Sequence, residues 1–227
     1  AGIRTRYSDD LIWLVYTACC YVEHTGDDSI WDEMVPFITD DPLRPDENER
    51  YAKTRRSEEK ASLYNHCVRA IERSLTFGSH SLPLIGGGDW NDGLNKVGLE
   101  GRGESVWLAW FLYTILEKFV PICTKHGEPE RAEKYRSFME QLSWALEKSA
   151  WDGQWYRRAY NDNGDPLGSV TNSECQIDCI AQAWAVISGA APEEKAKTAM
   201  WSSYHKLVLH DKALINLLTP PFSQTQP

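Results

Sequence analysis

The sequence has no block or stripe of basic residues, and its net charge is −9 over 227 residues. Nucleic acid is therefore not an expected partner, because binding it needs a cationic surface. No apolar run approaches the roughly 20 residues of a membrane-spanning helix, so no membrane contact is expected of this segment. No signal peptide opens the chain, whose abrupt start leaves room for an upstream part. The six histidines form no HExxH or related cluster, so no metal is expected. The six cysteines form no CxxC pair and sit mostly among apolar residues of helical stretches. They read as buried, reduced thiols, which suggests a reducing compartment and a cytoplasmic location, including the cytoplasmic portion of a membrane-anchored parent.

Aromatics are abundant instead, with ten tryptophans and ten tyrosines. Packing explains most of them, and aromatic platforms for flat apolar faces such as those of sugars are the functional alternative. The apolar period is helical nearly throughout. Ser8-Asp9-Asp10 opens a helix carrying Leu11, Leu14, Val15, Ala18 and Val22, ending near Gly26. "SIWDEMVPF" reads as a short helix from Ser29 to Phe37. A polar, proline-bearing stretch over 39–56 reads as a loop insertion in a single domain spanning 1–227. Ser57-Glu58-Glu59-Lys60 reads as the start of the next helix, and Glu104 to Lys125 as a buried one. Pro129 to about Ser149, Glu174 to Ser188 and Pro192 to about Val208 complete about seven helices. The stretch from Trp151 to Ser169 reads as a hairpin or turn region. The expected fold class is all-α, a helical toroid of paired helices with functional loops at one end.

One loop stands apart: "IGGGDWNDGLNKVG", Ile85 to Gly98. A phosphate-binding P-loop needs GKS or GKT after its glycines, and here Asp89-Trp90 follows Gly88. A dinucleotide fingerprint fails because Asn91 stands at the third glycine position. The plain reading is an Asx-rich turn with Trp90 as a packing plug. The functional reading is a sugar site, in which an indole stacks on a pyranose face while carboxylates and amides bond its hydroxyls. One carboxylic acid of such a site can protonate a glycosidic oxygen. Composition does not choose between Asp89 and Asp92. "RTRYSDD" sets Arg4 and Arg6 just before Asp9 and Asp10. It reads either as a capping aspartate with a solvent ion pair or as a polar cluster at a helix start.

Five stretches together, "RTRYSDDLIWL", "YVEHTGD", "LPLIGGGDWNDGLN", "GESVWLAWFL" and "IAQAWAVISGAA", resemble the inverting disaccharide and oligosaccharide phosphorylases. The likeness is greatest to the phosphorylase domain of cyclic β-1,2-glucan synthases and to β-1,2-oligoglucan phosphorylases. It runs from Gly2 to about Phe222. It implies a partial (α/α)6 barrel, with Asp92 as general acid and Trp90 lining the donor-sugar subsite. Arg4 and Asp10, six residues apart, would bond hydroxyls of the same sugar. Inorganic phosphate is the implied co-substrate and an oligosaccharide the implied partner, with no other cofactor. Phosphate attacks the anomeric carbon directly, so no second carboxylate base is implied.

The family carries a further stretch after the "TPPF" position, with a catalytic-site glutamate and a phosphate clamp, whereas "SQTQP" follows here. The resemblance thus implies the central part of a catalytic domain, inactive when isolated. Its open barrel flanks, including parts of the Glu104–Lys125 helix, would favour a homo-oligomer or docking to other parts of a parent chain. A helical-barrel inverting hydrolase and a non-catalytic sugar-binding domain are the two alternatives. The hydrolase would need a base carboxylate about 6.5–9.5 Å from the acid.

Overall fold

A computed structural model describes residues 2–225. Six α-helices carry the core: α1 Asp10–Thr25, α2 Leu63–Ser74, α3 Val106–Lys125, α4 Pro129–Ala145, α5 Cys179–Ile187 and α6 Glu193–Leu207. Helices α1, α3 and α5 lie side by side, and α2, α4 and α6 each back the helix before them. The segregation follows from sequence. Every turn of α3 is apolar, and Trp107, Trp110, Phe111, Ile115 and Phe119 are all buried, as expected for a helix with neighbours on all sides. Helix α4 has an apolar stripe through Ala132, Tyr135 and Leu142, and its other faces are charged. It therefore covers α3 while meeting water.

The all-α expectation is wrong. The chain is 47% helical and 19% strand, with the strands in five small antiparallel sheets, so the fold is mixed α/β. The strands are β1 Gly2–Thr5, β2 Met34–Thr39, β3 Glu49–Ala52, β4 Arg55–Ser62, β5 Glu104–Ser105, β6 Ala159–Tyr160, β7 Pro166–Leu167, β8 Ile177–Asp178, β9 Val208–Leu209, β10 Leu214–Ile215 and β11 Leu218–Thr219. Most are too short to show an alternating pattern, and they tie together the connections between helices. A helical period cannot report them.

Three helix boundaries shift for identifiable reasons. The helix expected over 29–37 is only a single-turn 3-10 segment, Asp28–Asp32. The chain then extends as β2, where Pro36 cannot continue a helix and Val35, Ile38 and Thr39 favour strand. Strand β4 absorbs the charged "SEEK" start by pairing with β2, so tertiary pairing overrides local helix propensity. Helix α2 begins only where the Ser62 hydroxyl accepts from Asn65 N at 3.3 Å. The helix expected from Glu174 starts instead at Cys179. The Cys175 and Gln176 amides bond to the Pro220 and Thr219 carbonyls, drawing the preceding residues out of helix, and Asp178 caps α5 through Ile180 N at 2.8 Å. The 39–56 stretch is likewise ordered, since β3 pairs residue for residue with β1.

Two further expectations fall on α3. By length and composition it is apolar enough to cross a membrane, contrary to the sequence reading; most of it is buried inside the protein. It also sits in the middle of the inner row and shows no open flank. Exposed apolar side chains on helices lie elsewhere, among them Leu11 and Leu14 on α1, Trp144 on α4, Val186 and Ile187 on α5, and Trp201 on α6.

Many aromatics pack in the interior. Trp110 meets Tyr156 edge-on at 5.0 Å, and Trp107 meets Trp184 edge-on at 6.1 Å. Trp110→Ala is expected to cost about 3–5 kcal/mol of stability by cavity formation. Urea unfolding followed by circular dichroism checks this, and a loss below about 1 kcal/mol would remove Trp110 from the core.

Candidate functional site

The glycine triplet Gly86–Gly88 lets the 85–98 loop lie directly on the N-terminal segment. Gly86 has φ 62° and Gly88 φ 142°, both in the region open to glycine. A Cβ at Gly86 would stand 2.5 Å from the Arg6 carbonyl oxygen, and one at Gly88 2.8 Å from the Tyr7 ring. Gly87 N donates to Arg6 O at 2.9 Å and Ser8 N donates to Gly88 O at 3.0 Å. Segments some 80 residues apart in sequence are thereby sewn into one surface.

Along DWND the side chains part company. Asp89 is buried, and Trp90 beside it is 48% exposed. Asp92 is exposed at the head of a short 3-10 turn, Asp92–Leu94. The Asp89 carboxylate accepts from Arg158 Nη1 at 2.8 Å and Nη2 at 2.5 Å, and from Ser105 Oγ at 2.6 Å. Arg158 is fully buried and also faces Asp178, with Nε to Oδ2 at 3.6 Å. Asp9, Ser105 and Asp178 occupy the N-cap positions of α1, α3 and α5. The starts of α3 and α5 therefore meet around one guanidinium.

Asp9 and Asp178 both lie near the Asp89 carboxylate, and both are raised. Burial pushes the Asp9 carboxyl up from its ordinary value of 3.8 to about 6; the nearby Asp89 and Asp10 charges add to the rise, and a 2.8 Å bond from Trp13 Nε1 opposes it. Burial also raises Asp178, against the pull of Arg158.

The predicted site residues divide into two groups. Arg4 and Asp10 line an open cavity of about 920 Å³ together with Arg6, Tyr7, Gly86 and Gly87. Trp90 and Asp92 are not among its lining residues. Tyr7 connects the groups: its ring rests on Gly88, and burial followed by the Asp92, Glu49 and Asp10 charges raises its phenol. Arg4 is engaged by the 39–56 stretch, donating from Nη2 to Asp40 O at 3.1 Å. Arg6 is held the same way, by Glu47 O and Arg44 O, each at 2.8 Å. The Asp10 carboxylate accepts from Thr5 Oγ1.

Sequence reading missed Arg158, and it named Asp9 only as one of two aspartates at a helix start. In "YRRAY" successive residues face opposite ways, so Arg157 bonds Asp152 at 2.5 Å while Arg158 turns inward to Asp89. Nothing local says which of the two faces in.

A family model described as "Glycosyl hydrolase 94 superfamily, catalytic domain" matches residues 1–227. Among curated proteins, the chain is 41% identical over 227 residues to the cyclic beta-(1,2)-glucan synthase NdvB of Rhizobium meliloti (strain 1021), covering 100% of this chain and 8% of that protein. It is 32% identical over 220 residues to solabiose phosphorylase of Paenibacillus borealis, covering 96% and 26%. It is 30% identical over 202 residues to N,N'-diacetylchitobiose phosphorylase of Vibrio proteolyticus, covering 88% and 22%. The chain thus spans about a quarter or less of the length of these relatives.

Asp9 yields a pH prediction. Its carboxyl is raised in the folded state, so the native protein holds the proton more tightly than the unfolded chain. Its contribution to stability therefore falls as pH rises from about 4 to about 6. Asp9→Asn lacks this decline, so its stability relative to wild type is expected to improve between pH 4 and pH 7. Urea midpoints at both pH values measure it; an unchanged difference would show that Asp9 titrates normally.

Proposed function

The chain belongs to the glycosyl hydrolase 94 superfamily, catalytic domain, and on that premise we propose that it forms part of a carbohydrate phosphorylase site acting on β-linked gluco-oligosaccharides. The observation that carries the reading is the split within DWND. Asp89 is buried, with both carboxylate oxygens taken up by a two-pronged bond to a buried arginine. Asp92 stands in the open beside an exposed indole. That supports Asp92 as the proton donor and Trp90 as the platform for the sugar ring.

In this mechanism Asp92 delivers its proton to the glycosidic oxygen as the bond to the anomeric carbon breaks. Inorganic phosphate attacks the same carbon from the opposite face, inverting it and forming a sugar 1-phosphate. Phosphate is already an anionic nucleophile, so no carboxylate need activate it, unlike the water of an inverting hydrolase. Arg4 and Asp10 bond hydroxyls of the same sugar from the neighbouring cavity wall. The 41% identity to a cyclic β-(1,2)-glucan synthase supports β-1,2-linked glucose as the substrate. The six free cysteines suit a reducing, cytoplasmic setting.

Product analysis by proton NMR tests this, using the complete gene product and a β-1,2-linked gluco-oligosaccharide with and without phosphate. The expected product is α-glucose 1-phosphate, formed only with phosphate. Asp92→Asn is expected to lower its turnover at least about 100-fold with folding intact. Phosphate-independent release of glucose would indicate a hydrolase. Retained turnover in Asp92→Asn with loss in Asp89→Asn would reverse the acid assignment.

A further inference from the structure

Two linked Asx turns shape the exposed part of the loop. The Asp89 carboxylate accepts from Asn91 N at 3.2 Å, closing a turn around Trp90. The Asn91 side chain then accepts from Gly93 N at 3.0 Å, closing a second turn around Asp92. The placement of both exposed side chains thus depends on the orientation of one carboxylate, Asp89. That carboxylate is set from behind by Arg158 and Ser105.

Arg158 is itself immobilised. Its amide donates to Leu167 O at 2.7 Å, and its carbonyl accepts from Val106 N at 3.1 Å. A Cβ at Gly168 would stand 2.5 Å from Arg158 N, so the adjoining chain crosses at close range. Ser105, the other partner of Asp89, also accepts from Leu108 N at 3.0 Å in the first turn of α3. The carboxylate is therefore referenced to the β5–β6–β7 sheet and to the start of α3, both rigid parts of the core.

A buried ion pair is a costly way to hold a core together, and well-packed apolar side chains commonly do it at least as well. It does fix direction, which an apolar contact cannot. We propose that Arg158 and Asp89 are positioning residues, which hold the loop so that Asp92 and Trp90 meet the substrate in register. This rests on the reading of Asp92 as the proton donor. Neither residue is assigned any contact with substrate.

The test pairs Asp89→Asn, which conserves volume, with Arg158→Lys. Each variant of the complete gene product is assayed with phosphate on two donors: a β-linked gluco-disaccharide and an aryl β-glucoside whose phenolate leaves without protonation. A displaced acid is expected to lower kcat on the disaccharide at least about tenfold, with KM changing by less than about threefold. The loss on the aryl glucoside is expected to be smaller, as for Asp92→Asn. Equal losses on both donors would assign the pair a purely structural role.

Hydrogen exchange of the 227-residue chain gives a second readout, independent of activity. Both variants are expected to lose protection at the amides of 86–94 while α3 stays protected. Protection unchanged at 86–94, or lost together with α3, would overturn the proposal. Should Arg158→Lys not fold, Asp89→Asn decides alone. A wild-type enzyme without phosphorolysis contradicts the proposed function, and the exchange result still decides the positioning.

Discussion

The bond between Asp89 and Arg158 is the constraint on which the arrangement of this chain turns. It joins a loop, a hairpin and the starts of α3 and α5 at one buried point. Each of those elements would otherwise end in unpaired polar groups away from water. Helix starts leave amide hydrogens without partners, and an inward loop brings its own. Ser105 and Asp178 satisfy the starts of α3 and α5, and the guanidinium answers the charge of Asp89 and Asp178 together. Removing it would leave two carboxylates facing each other in a region that excludes solvent, where an unpaired charge is strongly destabilising.

The same point divides structure from chemistry. Behind it lies a core of packed aromatic rings, in which Trp107, Trp110 and Phe119 are buried. In front of it lie the flexible-backbone residues Gly86 and Gly88 and the exposed Trp90 and Asp92. The glycines are needed because the N-terminal segment presses on the loop, with Tyr7 lying where a side chain at Gly88 would go. One consequence is that Arg4 and Asp10 arrive at the neighbouring cavity although nearly the whole of α1 to α2 lies between them and the loop in sequence.

Much of the helical layer could be read from the chain because its signals are local. The apolar repeat of α1, the proline opening α4 and the proline before α6 act within a turn or two, and these helices lie where the period put them. The hairpin expected between Trp151 and Ser169 is there as β6 with β7, but the other strands could not be read, since β2 with β4, β1 with β3 and β8 with β11 are pairings between segments that carry little pattern of their own. Charged "RRSEEKAS" looks like a helix start until a partner strand is placed beside it. The motif DWND was legible as a unit, yet the opposite fates of its two aspartates were not. That split depends on Arg158, nearly 70 residues away. Arg158 in turn is held by backbone bonds to Leu167 and Val106, which no local pattern announces.

A crystal structure of the protein bound to a β-1,2-linked glucose disaccharide tests this most directly. The pyranose face is expected on the Trp90 indole, with the Asp92 carboxyl within about 3 Å of the glycosidic oxygen. Asp89 is expected to remain in its two-pronged bond to Arg158. A sugar bound away from Trp90, or Asp89 released from Arg158 and turned toward the glycosidic oxygen, would contradict it.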